Sequence, residues 1–115
     1  MYFAEPDRTT SKPVVWRWFG RRDGQPFFFA GIWRPWTGDR GSKRAPNVGD
    51  HLLYSIMTTE PNGIVEPVHE KAMPGLLMTP GDVSSWLNGS LEKALELRKP
   101  AADDQVVIVE RKKAA

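Results

Sequence analysis

The sequence predicts a mixed α+β domain, mainly antiparallel β-sheet with short helices near the C-terminus. Three observations predict it. Two apolar, β-prone runs, "PVVWRWFG" (13–20) and "PFFFAGIW" (26–33), flank the turn signal Asp23-Gly24. A third run, "HLLYSIMTT" (51–59), is almost continuously apolar. Residues suited to capping helices arrive only at Thr79 and Ser90.

In the first run Val15, Arg17 and Phe19 alternate against Val14, Trp16 and Trp18, the period of a strand. Two strands around Asp23-Gly24 read as a β-hairpin, so 14–19 should pair antiparallel with 26–33. Gly31 marks a bulge or a close backbone approach. Residues 34–50, rich in Gly, Pro, Asp and Arg, read as a long loop. The unbroken apolar character of 51–59 reads as a strand buried on both faces. "EPNG" (60–63) is turn chemistry. Residues 64–78 hold no regular period, and Pro67 and Pro74 deny them helix and central strand. Thr79 caps a helix with Pro80 at its first position and Asp82 in its first turn, ending at Gly89. Ser90 caps a second helix carrying Leu91, Ala94, Leu95 and Arg98. "QVVIVE" (105–110) is a last strand, and "RKKAA" is a frayed basic tail.

With 115 residues the chain suits one domain, 1–115. Hydrophobic residues make up 40% and charged residues 26%, too apolar a balance for disorder. No apolar run approaches the roughly 18 residues that span a bilayer. "MYFAEPDR" lacks the basic region and apolar stretch of a secretory signal, so the expected location is cytoplasmic, with no membrane partner. There is no cysteine, which excludes disulfides, thiolate metal sites and a cysteine nucleophile. His51 and His69 are the two histidines and form no HExxH pair, so neither a metal nor a cofactor is expected.

The net charge of +2 gives little long-range attraction to nucleic acid if evenly spread. In "WRPWTGDRGSKR" (33–44), however, Arg34, Arg40, Lys43 and Arg44 face the single acid Asp39 and interleave with Trp33 and Trp36. Such a segment grips a phosphate backbone while its rings stack on unpaired bases. Equally, it is a solvated loop whose tryptophans anchor it to the core. "PVHEKAMP" (67–74) sets His69 between two prolines, with Glu66, Glu70 and Lys71 nearby. Taken alone, that histidine reads as a solvated polar residue.

"FAGIWRPW" followed by "SIMTTEPNGIVEPVHEKAMPGLLMTPGDVSSWL" resembles the C-terminal half of the SOS response-associated peptidase (SRAP) family, the abasic-site processing proteins. The resemblance runs from about residue 2 to about residue 109. "YFAEP" is similar to the family's "GFYEW" element, which places Glu5 on its catalytic glutamate, with Pro6 replacing an aromatic. His69 falls on the catalytic histidine, with "EKAMP" for the usual "DRMP" and Ala72 as an inserted residue. Thr58 and Thr59 match the family's "TT", and Trp33 its "GLW" tryptophan. The family's front half, with its Met-Cys start and its DNA-binding arginines, has no counterpart here. The resemblance therefore implies a truncated SRAP domain.

It also implies a role. An abasic sugar presents an aldehyde, and a carboxyl of raised pKa with a histidine beside it can move protons in carbinolamine dehydration or ring opening. The implied catalytic pair is Glu5 and His69. The implied partner is single-stranded or abasic DNA, with reduced or no catalysis by these residues alone. Two alternatives stand beside it: a non-catalytic single-stranded-DNA-binding module, and one subunit of a split enzyme whose N-terminal half is another polypeptide. An incomplete fold is also expected to leave apolar sheet or an open edge that self-association into a homo-oligomer would cover.

Overall fold

The computed structural model describes residues 1–10 and 14–110. The order is β1 (Tyr2–Pro6), β2 (Trp16–Arg21), β3 (Phe28–Phe29), β4 (Gly31–Asp39), β5 (Val48–Ile56), β6 (Thr58–Thr59), β7 (Met73–Pro74) and β8 (Leu76–Leu77). Then come α1 (Pro80–Asn88), α2 (Leu91–Leu97), a 3-10 turn at Asp103–Gln105 and β9 (Val106–Val109). All strand pairs are antiparallel. The expected mixed α+β class therefore holds. Pro13 and the expected basic tail, 111–115, lie outside the described residues.

The core rests on the sheet β1–β2–β9, with β2 in the middle. β1 sets Phe3 opposite Phe19 and Glu5 opposite Arg17. Phe3 stacks on Phe19 at 5.2 Å, and Phe27 meets Phe3 edge-on at 6.0 Å, both favoured ring geometries. Val65, Val68, Met73, Leu76 and Val106 complete the cluster. Both helices begin where their caps predict. Thr79 accepts from the Asp82 N–H at 3.0 Å, and Ser90 from the Lys93 N–H at 3.2 Å.

Several expectations give way. The 14–19 and 26–33 runs do not pair, because β1 and β9 occupy both edges of β2. Asp23-Gly24 does make a turn, with Gly24 at φ +72° and its N–H on the Arg21 carbonyl. Arg21 then donates to the Pro26 and Met78 carbonyls, which leads the chain across to β8 instead. Residues 34–50 are not a loop: β4 and β5 form a nine-residue hairpin joined by 40–47. Asp39 closes that turn by accepting from the Gly41 and Asn47 N–H groups. The 51–59 run is not buried on both faces, since β5 pairs only with β4 and Leu52 and Tyr54 are 74% and 82% exposed. Pro74 does sit in a strand, though one of only two residues. "YFAEP", unassigned from sequence, is a strand because β2 offers it an edge and Phe3 fills the core.

The hairpin arm spans roughly 30 Å by strand geometry. It raises the radius of gyration to 17.0 Å, against about 13 Å for a compact chain of this length. At its base three chain segments meet in a closed ring of main-chain hydrogen bonds. Ala30 N–H donates to Gly75 C=O, Gly75 N–H to Met57 C=O, and Met57 N–H to Ala30 C=O, at 2.8, 2.9 and 2.8 Å. The β3–β8, β4–β5 and β6–β7 ladders all radiate from these residues. Ala30 is fully buried there. Ala30→Leu should therefore cost about 1–3 kcal/mol through overpacking. Gly75→Ala should unfold like the parent in urea, since its added methyl meets its nearest atoms at 3.5 and 3.6 Å. Equal losses for the two would show that side-chain room at the ring does not limit stability.

Candidate functional site

A groove of about 510 Å³ lies between β1 and the turns that follow β6. The two-residue period of β1 puts Glu5 on the face of Phe3, so its carboxyl emerges where the core ends. His69 reaches the same groove from a turn built by Asn62. The Asn62 side-chain oxygen accepts from the Ile64 and Val65 N–H groups, while its amide donates to the Ala101 carbonyl. The Val65 carbonyl then takes the Val68 and His69 N–H groups, both at 2.9 Å. Val65 and Val68 anchor the turn in the core.

His69 Nδ1 lies 2.7 Å from the Ala72 carbonyl. A carbonyl only accepts, so Nδ1 carries the proton and the neutral ring keeps its lone pair on Nε2. The Ala72 carbonyl thus supplies the atom that orients the histidine. Glu5 Oε2 is 3.5 Å from the same Nδ1, with the two side chains only 16% and 11% exposed. Burial pushes the Glu5 carboxyl above its ordinary range, and the nearby His69 and Arg8 oppose that rise in part. The Arg8 N–H donates to Val68 C=O, tying the end of β1 to the histidine turn. Asp7 holds the bend between them. It accepts from the Thr9 N–H and hydroxyl and from Arg17, contacts that keep its carboxyl below the usual range.

Thr58 lines the groove, whereas Thr59 pairs with Met73 and does not. The Trp33-to-Arg44 segment is not one surface. Trp33 and Trp36 fall on opposite faces of the arm, Trp33 across from Tyr54 and Trp36 across from His51. Arg34 shares the face of Trp36, whose ring lies 6.2 Å from that of His51. Arg40, Lys43 and Arg44 sit in the exposed turn at the arm's tip. Sequence reasoning passed over Asn62 and Asp7. The Asn62-Gly63 step was a turn signal, but nothing local tied it to His69. Among the described residues no group of three His, Cys, Asp or Glu side chains could hold a metal ion. No described helix is long and apolar enough to cross a membrane.

A family model described as SOS response associated peptidase (SRAP) matches residues 3–114. The chain belongs to the SRAP family. A crystal structure of a protein from Bacteroides thetaiotaomicron, a structural-genomics target, aligns with a TM-score of 0.71 at 21% identity. The alignment covers 95% of this chain and 46% of that one, so the chain spans less than half of the structure it matches. At that identity the likeness shows the SRAP chain's fold and nothing finer. No curated protein matches it.

The raised Glu5 pKa has a signed consequence. The fold favours the neutral carboxyl, so Glu5's contribution is fully present below its unfolded pKa and is lost as pH rises through the folded value. Glu5→Gln cannot ionise and escapes that loss. The melting temperature of the variant minus that of the parent should increase as pH climbs from about 4 to about 7. A difference that stays flat would mean that burial does not govern this carboxyl.

Proposed function

We propose that the groove receives the abasic site of single-stranded DNA and that Glu5 and His69 move its protons. One observation carries this reading: a carboxyl biased toward its neutral form lies 3.5 Å from a histidine whose Nδ1 is committed to a carbonyl. A neutral carboxyl donates a proton, and a free Nε2 accepts one. The closed abasic sugar is a hemiacetal. His69 Nε2 takes the proton of its C1 hydroxyl, the C1–O4 bond breaks as C1=O forms, and Glu5 delivers a proton to O4. The product is the open aldehyde, and exchange with solvent water, which takes the proton from Nε2 and returns one to Glu5, resets the pair. Thr58 borders the same groove and is a candidate contact for the sugar.

None of the 115 residues is cysteine, so these residues by themselves do not form a thiazolidine, which needs an amine and a thiol on adjacent carbons. We therefore read the chain as a partial SRAP domain that conditions the abasic sugar, located in the cytoplasm. A second reading makes these residues one part of an SRAP enzyme whose thiol lies elsewhere. Another polypeptide supplying a thiol would then complete a split enzyme. As a pure binding module, the chain would use Arg34, Trp36 and His51 on one face of the arm, with Arg40, Lys43 and Arg44 at its tip.

The test is capture of the aldehyde by an alkoxyamine probe on an abasic oligonucleotide, in which ring opening limits the rate. The chain should speed capture, and Glu5→Gln or His69→Ala should remove about 10²-fold of rate, the lower end of what positioned proton transfer supplies. Binding of the oligonucleotide, followed by anisotropy, should change far less. Acceleration that survives both substitutions would end the proton-transfer reading. Binding without acceleration would leave the binding module.

A further inference from the structure

We propose that β5 pairs antiparallel with β5 of a second copy of this chain, centred on Leu52, to make a four-stranded sheet β4–β5–β5–β4. This does not rest on the DNA reading. The hydrogen bonds at the two ends of the arm fix which main-chain groups face outward. Met57 N–H donates to Ala30 C=O at the base, and Arg40 N–H donates to Asn47 C=O at the tip. With the continuous register between them, hydrogen-bonded pairs fall at even positions of β4 and odd positions of β5. Val48, Asp50, Leu52, Tyr54 and Ile56 therefore direct their N–H and C=O groups to the free edge of β5.

The two edges of the arm differ. On β4 the outward set includes Pro35, which has no N–H and blunts that edge. β5 carries neither proline nor lysine, and Asp50 is the one charged side chain in its outward set. The side chains of the same outward set share one face, and four of them are large, apolar and exposed: Val48 74%, Leu52 74%, Tyr54 82% and Ile56 40%. Across the register Trp33, 69% exposed, extends that face. Apolar surface beside an open edge is the liability that strand addition removes.

A second copy fits because the edge is self-complementary about Leu52. That centre sets Leu52 opposite Leu52, Asp50 opposite Tyr54 and Val48 opposite Ile56 of the other copy. No like charges meet. A two-fold at Asp50 would oppose two carboxylates and is disfavoured for that reason. The basic tip of each arm runs toward the partner's Thr58–Glu60 end, where Glu60 is exposed.

The absence of cysteine makes the test clean. Leu52→Cys should oxidise to a disulfide-linked dimer, because facing Cα atoms of a hydrogen-bonded pair lie about 5.5 Å apart, within disulfide reach. Val48→Cys should not, since the two copies of Val48 would stand about 27 Å apart along the strands. Sedimentation of the parent should show a concentration-dependent dimer. Leu52→Lys, at a site already exposed, should be monomeric with unchanged melting. A parent chain that stays monomeric near millimolar concentration would overturn the proposal. So would equal cross-linking at both cysteines, a dimer indifferent to Leu52→Lys, or an arm occupied only when DNA or a different polypeptide is added.

Discussion

The ring of hydrogen bonds among Ala30, Met57 and Gly75 governs the molecule. Each residue there gives one N–H and one C=O, so three backbone donors and three acceptors are satisfied without a side chain. Each segment also changes partner on passing through. The chain leaves β3 for β4 at Ala30, β5 for β6 at Met57, and β7 for β8 at Gly75. Within the body the strands that meet at this crossing, β3, β6, β7 and β8, have two residues each. The one long ladder is the one that leaves the body.

The same crossing places the groove. β6 brings Thr58 to its wall, and β7 brings Met73 immediately after the turn carrying His69. Opposite them β1 is held by the phenylalanine stack, and Glu5 sits two residues beyond Phe3. Carboxyl and imidazole are thus held from two sides, by the aromatic core and by the Asn62 turn, which Val65, Val68 and the Arg8–Val68 hydrogen bond join. The partly buried Glu5 carboxyl, which burial biases toward its neutral form, sits beside the histidine at 3.5 Å without a tight ion pair.

The arm is the opposite case. Its strands satisfy each other's inward hydrogen bonds, and its tip is closed by Asp39, yet among the described residues no layer covers it. Its base is docked, where the Trp86 indole donates to the Gly31 carbonyl at 2.8 Å. A two-stranded ribbon exposes both faces, so its apolar residues are left outside although their sequence reads like a buried strand. Along β5 the side chains alternate only between exposed and half-buried from Val48 to Tyr54, and none is buried, for the same reason.

Local chemistry in the sequence determined the helix caps at Thr79 and Ser90, the Asp23-Gly24 turn, the last strand and the mixed class. Each depends on residues within a few positions of one another. The SRAP pattern also pointed to Glu5 and His69, since an ordered motif carries distance information that propensity does not. The tertiary structure decided the rest. Which strand takes the edge of β2, and whether 51–59 is covered, depend on what else competes for the same edge or face. The Glu5 carboxyl shifts because of what surrounds it, and Ala72 matters for a carbonyl that any residue would bring. Those properties belong to neighbours far apart in the chain, and no window of sequence contains them.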